Sequence, residues 1–319
     1  MFETGADSGD TAGEFQRWNE RRKLDKIFPA PHMHHDIHVN LDTGIMGIVT
    51  GMGTANSSAA LMALGLDERF DLSHSYWLVA GIAGFDPQDA SLGSAAWAEY
   101  LVDGDLAHEI DPREMPEAWE TGIFPLFSKG PYDPNKHESL GEVFHLNGAL
   151  TEWAYQLTKD TSLPDPEGLA KTRDRYINHP AALKKPFVLK GDNISAMTFF
   201  HGALLNDWAN KWVSYWTEGK GNFVSSGMED TGTFQSLSYL DKLGKVDKNR
   251  VMVLRAASNY TMQPAGKTAA ENLLQEQHGN YAGLDAALES AYTVGSIVID
   301  EILNHWDNYR DNIPGSNPQ

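Results

Sequence analysis

The chain has no cysteine among its 319 residues. That absence excludes disulfides, thiolate nucleophiles and cysteine metal sites, and it leaves the compartment open, because an oxidising one is tolerated without being implied. Positive charge is scarce as well: 25 Lys and Arg stand against 44 Asp and Glu, a formal net charge of −19. Nucleic acids and anionic membrane surfaces call for basic patches, so neither is an expected partner. No window approaches the roughly 18 uninterrupted apolar residues of a membrane-crossing helix, so helical membrane insertion, and with it transport unaided, is not expected. The first residues, MFETGADSGDTAGEF, lack the basic head and apolar run of a signal peptide. Met1-Phe2 reads as the tail of an apolar strand, so sequence upstream of it, a signal included, is expected.

What the chain does have is material for a large core, with 41% apolar and 10% aromatic residues. Its length exceeds the usual single domain, although single α/β domains of this size occur. Residues 13–28 read as a short helix with Phe15, Trp18, Leu24 and Phe28 buried. A hairpin follows, 36–40 and 45–50 around Asp42-Thr-Gly44. Gly51-Met-Gly53 then opens a helix to about Leu64, and such glycines let backbone amides approach a ligand oxygen at a helix start. The alternative is a tight strand-to-helix turn capped by Thr54 or Asn56. The apolar run 75–80 predicts a buried parallel strand ending in the turn Gly81-Ile-Ala83-Gly84, and 93–103 predicts another strand. Residues 104–186 are irregular and proline-rich, apart from a helix capped by Asn147, and read as an insertion covering the sheet. Beyond it come a strand at 186–190, a turn at Gly191-Asp192-Asn193, and a helix on which Trp208, Trp212 and Trp216 keep helical spacing, as core or subunit interface rather than a ligand cage. A C-terminal helix carries Leu284, Leu288, Ala291, Val298 and Ile302 in register.

The segment 221–260 predicts a strand, a polar corner at Gly227-Met228-Glu229-Asp230, a helix, and an apolar strand ending in Arg255-Ala-Ala-Ser258-Asn259. In open α/β sheets ligands bind outside the carboxyl ends of strands. Glu229 and Asn259 could therefore face one small ligand. Alternatively, Glu229 and Asp230 only fill the first turn of a helix, where the dipole favours acids.

His32, His34, His35 and His38 lack acidic company at fixed spacing, so they read as surface histidines before a strand and no metal is expected. There is no GxSxG elbow and no GxxxxGK[ST] phosphate loop, and GxGxxG is not completed, so no cofactor is expected either. What remains is a set of polar groups at strand ends: Glu3, Asp192, Glu229, Asp230 and Asn259. Such a set suits acid-base-assisted cleavage of a bond whose leaving group takes a proton.

The strings VAGIAG (79–84), GSAAWAEYLVDGDLAHEID (93–111), LLNDWANKWVSYWT (204–217), MEDTGT (228–233) and LRAASNYTMQPAG (254–266) resemble the purine nucleoside permease family, over nearly the whole chain. That family resembles, more distantly, the nucleoside phosphorylase and nucleosidase superfamily. The resemblance implies a three-layer α/β/α sandwich around a mixed, mostly parallel central sheet, as one domain over 1–319 with the insertion at about 104–186. It also implies a purine nucleoside as ligand, a homodimer by analogy, and export to the periplasm or beyond.

Carried over to this sequence, Met228 packs on the ribose and Glu229 accepts from its hydroxyls. Asn259 faces N7 and the 6-substituent of the purine with Ser258 in support, and Phe199 or Phe200 stacks on the base. The backbone at Gly53, Ala83 and Gly84 lines the site, and Glu3 activates water. The turn at 80–84 has no arginine to hold phosphate, which implies hydrolysis rather than phosphorolysis. An amide at Asn259 can accept from an N7–H and donate to a 6-oxo group, which favours inosine or guanosine. The alternatives are a nucleoside-binding component of uptake, without catalysis, and a phosphorylase that holds phosphate through backbone amides at 51–53 or a neighbouring subunit's arginine.

Overall fold

The computed structural model describes residues 3, 5–279 and 281–316. The first helix, α1 (Gln16–Arg22), ends where Lys23 turns left-handed at φ 51°. Helix therefore does not continue to Phe28 as expected, and the chain passes instead into β1 (Lys26–Phe28). β1, β2 (Ile37–Asn40) and β3 (Ile45–Gly47) form a small antiparallel sheet, the β2–β3 hairpin closing at Gly44 with φ +73°. α2 (Thr54–Gly65) follows, entered from Gly53 without a side-chain cap, so neither Thr54 nor Asn56 takes that role.

β4 (Trp77–Phe85) runs through the glycines at which a turn was expected. It pairs in parallel with a later strand from residue 77 to 85, and that pairing outweighs the local turn preference of Gly81 and Gly84. The single strand expected at 93–103 is two, β5 (Ala95–Ala98) and β6 (Tyr100–Asp103). The break has a cause in Asp192, whose Oδ1 accepts from the amides of Glu99 at 3.1 Å and Tyr100 at 2.7 Å while Oδ2 accepts from Asn222 N at 2.7 Å. Asp192 is thus a staple between strands, placed at a strand start instead of the functional edge.

Next come the short pair β7 (His108–Glu109) and β8 (Ile123–Phe124), then β9 (Val143–His145), α3 (Gly148–Thr158) and α4 (Glu167–Arg173). Asn147 caps α3 through the amides of Ala149 and Leu150. β9 pairs with β6, and α3 packs into the core. Part of the segment read as an insertion therefore belongs to the sandwich itself. β10 (Val188–Lys190) and β11 (Asp192–Ser195) replace the single strand expected there. α5 (Ala203–Trp216), β12 (Phe223–Gly227), α6 (Asp230–Lys242), β13 (Val251–Tyr260), α7 (Ala269–Gly279) and α8 (Leu284–Asn304) complete the order. The reading of Met1 and Phe2 as a strand end lies outside the described residues.

The central sheet has eight strands in the order β10-β5-β13-β4-β12-β11-β6-β9. β10–β5, β13–β4, β12–β11 and β11–β6 are parallel pairs. Because strand side chains alternate, β13 sends Val251 and Val253 into one apolar layer with Leu61 and Leu64 of α2 and Leu237 and Leu240 of α6. Met252, Leu254 and Ala256 enter the opposite layer, against α3 and α8. Trp208, Trp212 and Trp216 of α5 are buried with Ile194 and Phe223. The result is a three-layer α/β/α sandwich.

Candidate active site

β13 is buried along its whole length, and in the middle of VMVLRAASNY it carries one charge, Arg255. Two glycines make room for the guanidinium: a Cβ at Gly227 would lie 3.0 Å from its Cζ, and one at Gly81 would lie 2.6 Å from its Nη1. Arg255 Nε donates to Asp230 Oδ1 at 3.0 Å, and Nη2 donates to Asp230 Oδ2 at 2.9 Å and to Glu229 Oε2 at 2.8 Å. Its Nη1 donates to the Ile82 carbonyl at 3.0 Å. Burial works against the cation, but the charges of Asp230 and Glu229 outweigh it and raise the pKa of Arg255 above its ordinary value.

Glu229 is held from three sides. The Gly53 amide donates to Oε1 at 3.1 Å, Arg255 binds Oε2, and Ser57 Oγ donates to the backbone carbonyl at 2.9 Å. Burial works most strongly, to raise its pKa, yet the charge and hydrogen bond of Arg255 and the Gly53 amide are among the groups that together hold the carboxyl below its usual range. Asp230, the first helical residue of α6, is fully buried, with its pKa raised by that burial and only partly lowered by Arg255. It also accepts from Ser195 Oγ at 3.1 Å. Neither acid acts merely as a filler of the first helical turn. The Gly53 amide, considered as a contact for a ligand oxygen, is turned to Glu229.

The sequence pattern missed two members of this cluster. One is Arg255; a lone charge inside a ten-residue apolar strand was the available signal. The other is Glu14, buried just before α1, whose Oε1 accepts from the Ile82 amide at 2.6 Å. A Cβ on Gly81 would fall 2.5 Å from that same oxygen. Ile82 thus offers its N–H to Glu14 and its C=O to Arg255, on the strand edge that β13 leaves unpaired. Burial raises the pKa of Glu14, with Arg255 pulling the other way.

Glu3 lies elsewhere. Its Oε1 accepts from Gly13 N at 2.5 Å, and its Oε2 accepts from Phe15 N at 3.0 Å and Gln16 N at 2.7 Å. It fastens the loop that carries Glu14, and three amides occupy the carboxylate expected to activate water.

At the far end of β13 the register slips between Ala257 and Asn259, leaving Ser258 as the extra residue of a bulge. Bulges re-aim side chains. Here Ser258 Oγ lies 2.9 Å from Asn259 Oδ1 and 3.2 Å from the Ala83 carbonyl, and Asn259 Nδ2 donates to the Tyr260 carbonyl at 3.2 Å. Gly84 lies opposite Asn259, where a Cβ would come within 3.3 Å of Nδ2. Phe200 is core, packed edge-on to Trp208 at 5.6 Å. Phe199 is 42% exposed and lies parallel to Tyr281 at 6.3 Å. Of the two, only Phe199 presents a ring outside the core, with Tyr281 as a companion the sequence did not single out. Met228, just before Glu229, is half-buried. An apolar cavity of about 260 Å³ is lined by residues of β3 and β4, by Leu303 and Trp306, and by Glu229.

A family model described as purine nucleoside permease (NUP) matches residues 1–314. The chain belongs to the purine nucleoside permease family. Its family relatives include a probable purine nucleoside permease of Schizosaccharomyces pombe, 30% identical over 295 residues, covering 89% of this chain and 81% of that protein. A purine nucleoside permease of Candida albicans is 31% identical over 281 residues, covering 86% of this chain and 68% of that protein. Among solved structures, futalosine hydrolase of Helicobacter pylori superposes with a TM-score of 0.54 at 14% identity, covering 92% of this chain and 96% of its own. A point mutant of the H. pylori nucleosidase MTAN, solved with 5′-methylthioadenosine in its active site, gives 0.53 at 16% identity, with the same 92% and 96% coverage. These likenesses establish the nucleoside phosphorylase-like fold of this family member. No helix among the described residues is long and apolar enough to cross a membrane.

Proposed function

We propose that the protein binds purine nucleosides and hydrolyses their N-glycosidic bond, with 6-oxopurine nucleosides such as inosine and guanosine preferred. The observation that carries this reading is the convergence of Glu14, Arg255 and Glu229 on Ile82 and Gly53. Glu229, kept ionised by Arg255, accepts from the 2′- and 3′-hydroxyls of the ribose, against which Met228 packs. Glu14, with its raised pKa, takes a proton from the water that attacks C1′ as the glycosidic bond breaks. This role passes to Glu14 from Glu3, whose carboxylate is committed to backbone amides.

The base leaves protonated at N7 by a proton drawn from solvent, because the Asn259 amide has none to deliver. Ser258 uses one lone pair of Asn259 Oδ1 and the Tyr260 carbonyl uses one amide hydrogen, so one acceptor site and one donor remain. That pair matches an N7–H beside a 6-oxo group. Phe199 offers the stacking surface, and the backbone at Ala83 and Gly84 bounds the base. Water is favoured over phosphate because the buried guanidinium at hand already serves two carboxylates, and a dianion next to ionised Glu229 would be repelled. The names of the solved relatives, a futalosine hydrolase and a nucleosidase, lend support.

The test is release of free base from inosine, guanosine and adenosine, with and without phosphate. No base in any tube sinks the proposal. Ribose 1-phosphate formed only with phosphate would select phosphorolysis. The second reading, a nucleoside-binding component of uptake, is favoured by the permease names of the relatives; micromolar binding without turnover would select it.

A further inference from the structure

We propose that Asp7, His35 and His38 form a binding site for one first-row divalent cation of the zinc type. The three side chains each offer a ligand atom, and these atoms lie within 4.8 Å of one another. Asp7 comes from the loop before α1, His35 from the entry to β2, 28 residues away, and His38 from β2 itself. Sequence spacing therefore gave the histidines no visible acidic companion.

Hydrogen bonding at the back of each ring fixes which nitrogen faces the carboxylate. His35 Nδ1 lies 2.7 Å from the Asp36 carbonyl, which only accepts, so Nδ1 carries the hydrogen. His38 Nδ1 lies 3.0 Å from Asn19 Oδ1. The orientation of that amide is set in turn, because its Nδ2 donates to the Asp7 carbonyl at 3.0 Å. Both rings therefore present Nε2 to Asp7. His35 Nε2 lies 2.9 Å from Oδ1 and 3.0 Å from Oδ2, and His38 Nε2 lies 3.5 Å from Oδ2.

Neutral rings held this way aim two nitrogen lone pairs at carboxylate oxygens, which is repulsive unless positive charge stands between them. One imidazolium would relieve only its own contact and leave the other ring's lone pair facing Asp7, and two would place like charges side by side, with ring centres 5.1 Å apart and His38 almost fully buried. One divalent ion satisfies all three groups. Zinc bonds of 2.0–2.2 Å in tetrahedral geometry set neighbouring ligand atoms about 3.3 Å apart, near the 2.9 to 3.5 Å that separate the two Nε2 atoms from Asp7. A back-side hydrogen bond on each ligating histidine is the usual support of such a centre. Phe15 adds a steric one, edge-on to His35 at 5.4 Å and to His38 at 5.3 Å. Asp7 and His35 keep some exposure, so water can complete the coordination. The ion would tie the loop leading to Glu14 onto the small sheet; the site does not depend on any nucleoside chemistry.

The test uses Zn²⁺ and Co²⁺ alone on the full chain stripped with chelator. Expected are one equivalent bound, a visible cobalt absorption band, and a higher melting temperature with zinc. Asp7→Asn, His35→Gln and His38→Gln, each checked for native circular dichroism, should lose the band, whereas exposed His32→Ala should keep it. Asn19→Ala, which removes the back-side partner of His38 and the amide that holds the Asp7 carbonyl, should weaken binding about 10–100-fold. No cobalt band and no zinc-induced melting shift in the wild-type chain would overturn the proposal. So would wild-type affinity in the folded His35→Gln and Asp7→Asn variants.

Discussion

Arg255 reaches Glu229 at 2.8 Å with both side chains buried, and the same nitrogen lies 2.9 Å from Asp230. One cation thus holds two carboxylates that come from consecutive positions at the head of α6. Removing it would leave both acids buried without a counter-charge. Arg255→Met should therefore destabilise the protein by about 3–5 kcal/mol, the usual result of deleting one partner of a buried pair. Urea unfolding measures this; a loss below about 1 kcal/mol would show that the acids neutralise themselves by taking up protons.

Glu14→Gln keeps the shape of the side chain and removes the base. Turnover should fall about 10²–10⁴-fold, with nucleoside affinity within a few-fold of wild type. A base works only when ionised, so wild-type activity should rise with pH through the pKa of Glu14. Burial places that rise above the ordinary value of 4.5. The pH–rate profile of the wild type should show this acid limb, and Glu14→Gln should lack it.

Much of the layering was legible in the sequence because it rests on periodicity. The β2–β3 hairpin, α2, α5 and α8 follow from alternating or helical spacing of apolar residues over short stretches. What escaped notice depends on contacts between distant segments. Gly81 and Gly84 read locally as a turn, but pairing of β4 with β13 extends the strand through them. Residues 93–103 read as one strand because nothing local marks the break that Asp192 imposes from elsewhere. The site shows the same division. Glu229 and Asn259 stand out at strand ends and Ser258 enters through the family resemblance, whereas proposing Glu14 in place of Glu3 needs the loop closure by which Glu3 gives its oxygens to Gly13, Phe15 and Gln16.

Asn259→Asp exchanges the amide for a carboxyl that can deliver a proton to N7 and accept from a 6-amino group. The ratio of kcat/KM for inosine over adenosine should drop by about tenfold or more. Asn259→Ala should lower turnover on both. An unchanged ratio in Asn259→Asp would show that the residue does not face the base.

Gly81 is the floor between Glu14 and Arg255. A methyl group there would meet Glu14 Oε1 at 2.5 Å and Arg255 Nη1 at 2.6 Å. Arg255 is fixed by its hydrogen bonds to Asp230, Glu229 and Ile82, so Glu14 is the group that must give way. Gly81→Ala should cost activity about as much as Glu14→Gln, roughly 10²-fold or more, with a smaller stability loss than Arg255→Met. Full activity in Gly81→Ala would show that Glu14 need not hold its place on Ile82.

Glu276 on α7 supplies a stability effect away from the chemistry. Its Oε1 accepts from Asn272 Nδ2 at 3.0 Å, while Oε2 is buried with no hydrogen-bond partner among the described residues. Burial pushes its pKa from 4.5 up to about 7, against the opposing pull of Asn272 and Arg175. Between those two values the folded protein keeps a proton that the unfolded chain has released. Stability contributed by this group is therefore full below about pH 4.5 and is lost as pH rises through about 7. Glu276→Gln stays neutral throughout and should remove that part of the decline. Melting temperatures at pH 5 and pH 8 measure it: the drop between them should be smaller in Glu276→Gln than in wild type, and equal drops would show that Glu276 is solvated and ionised in the folded state.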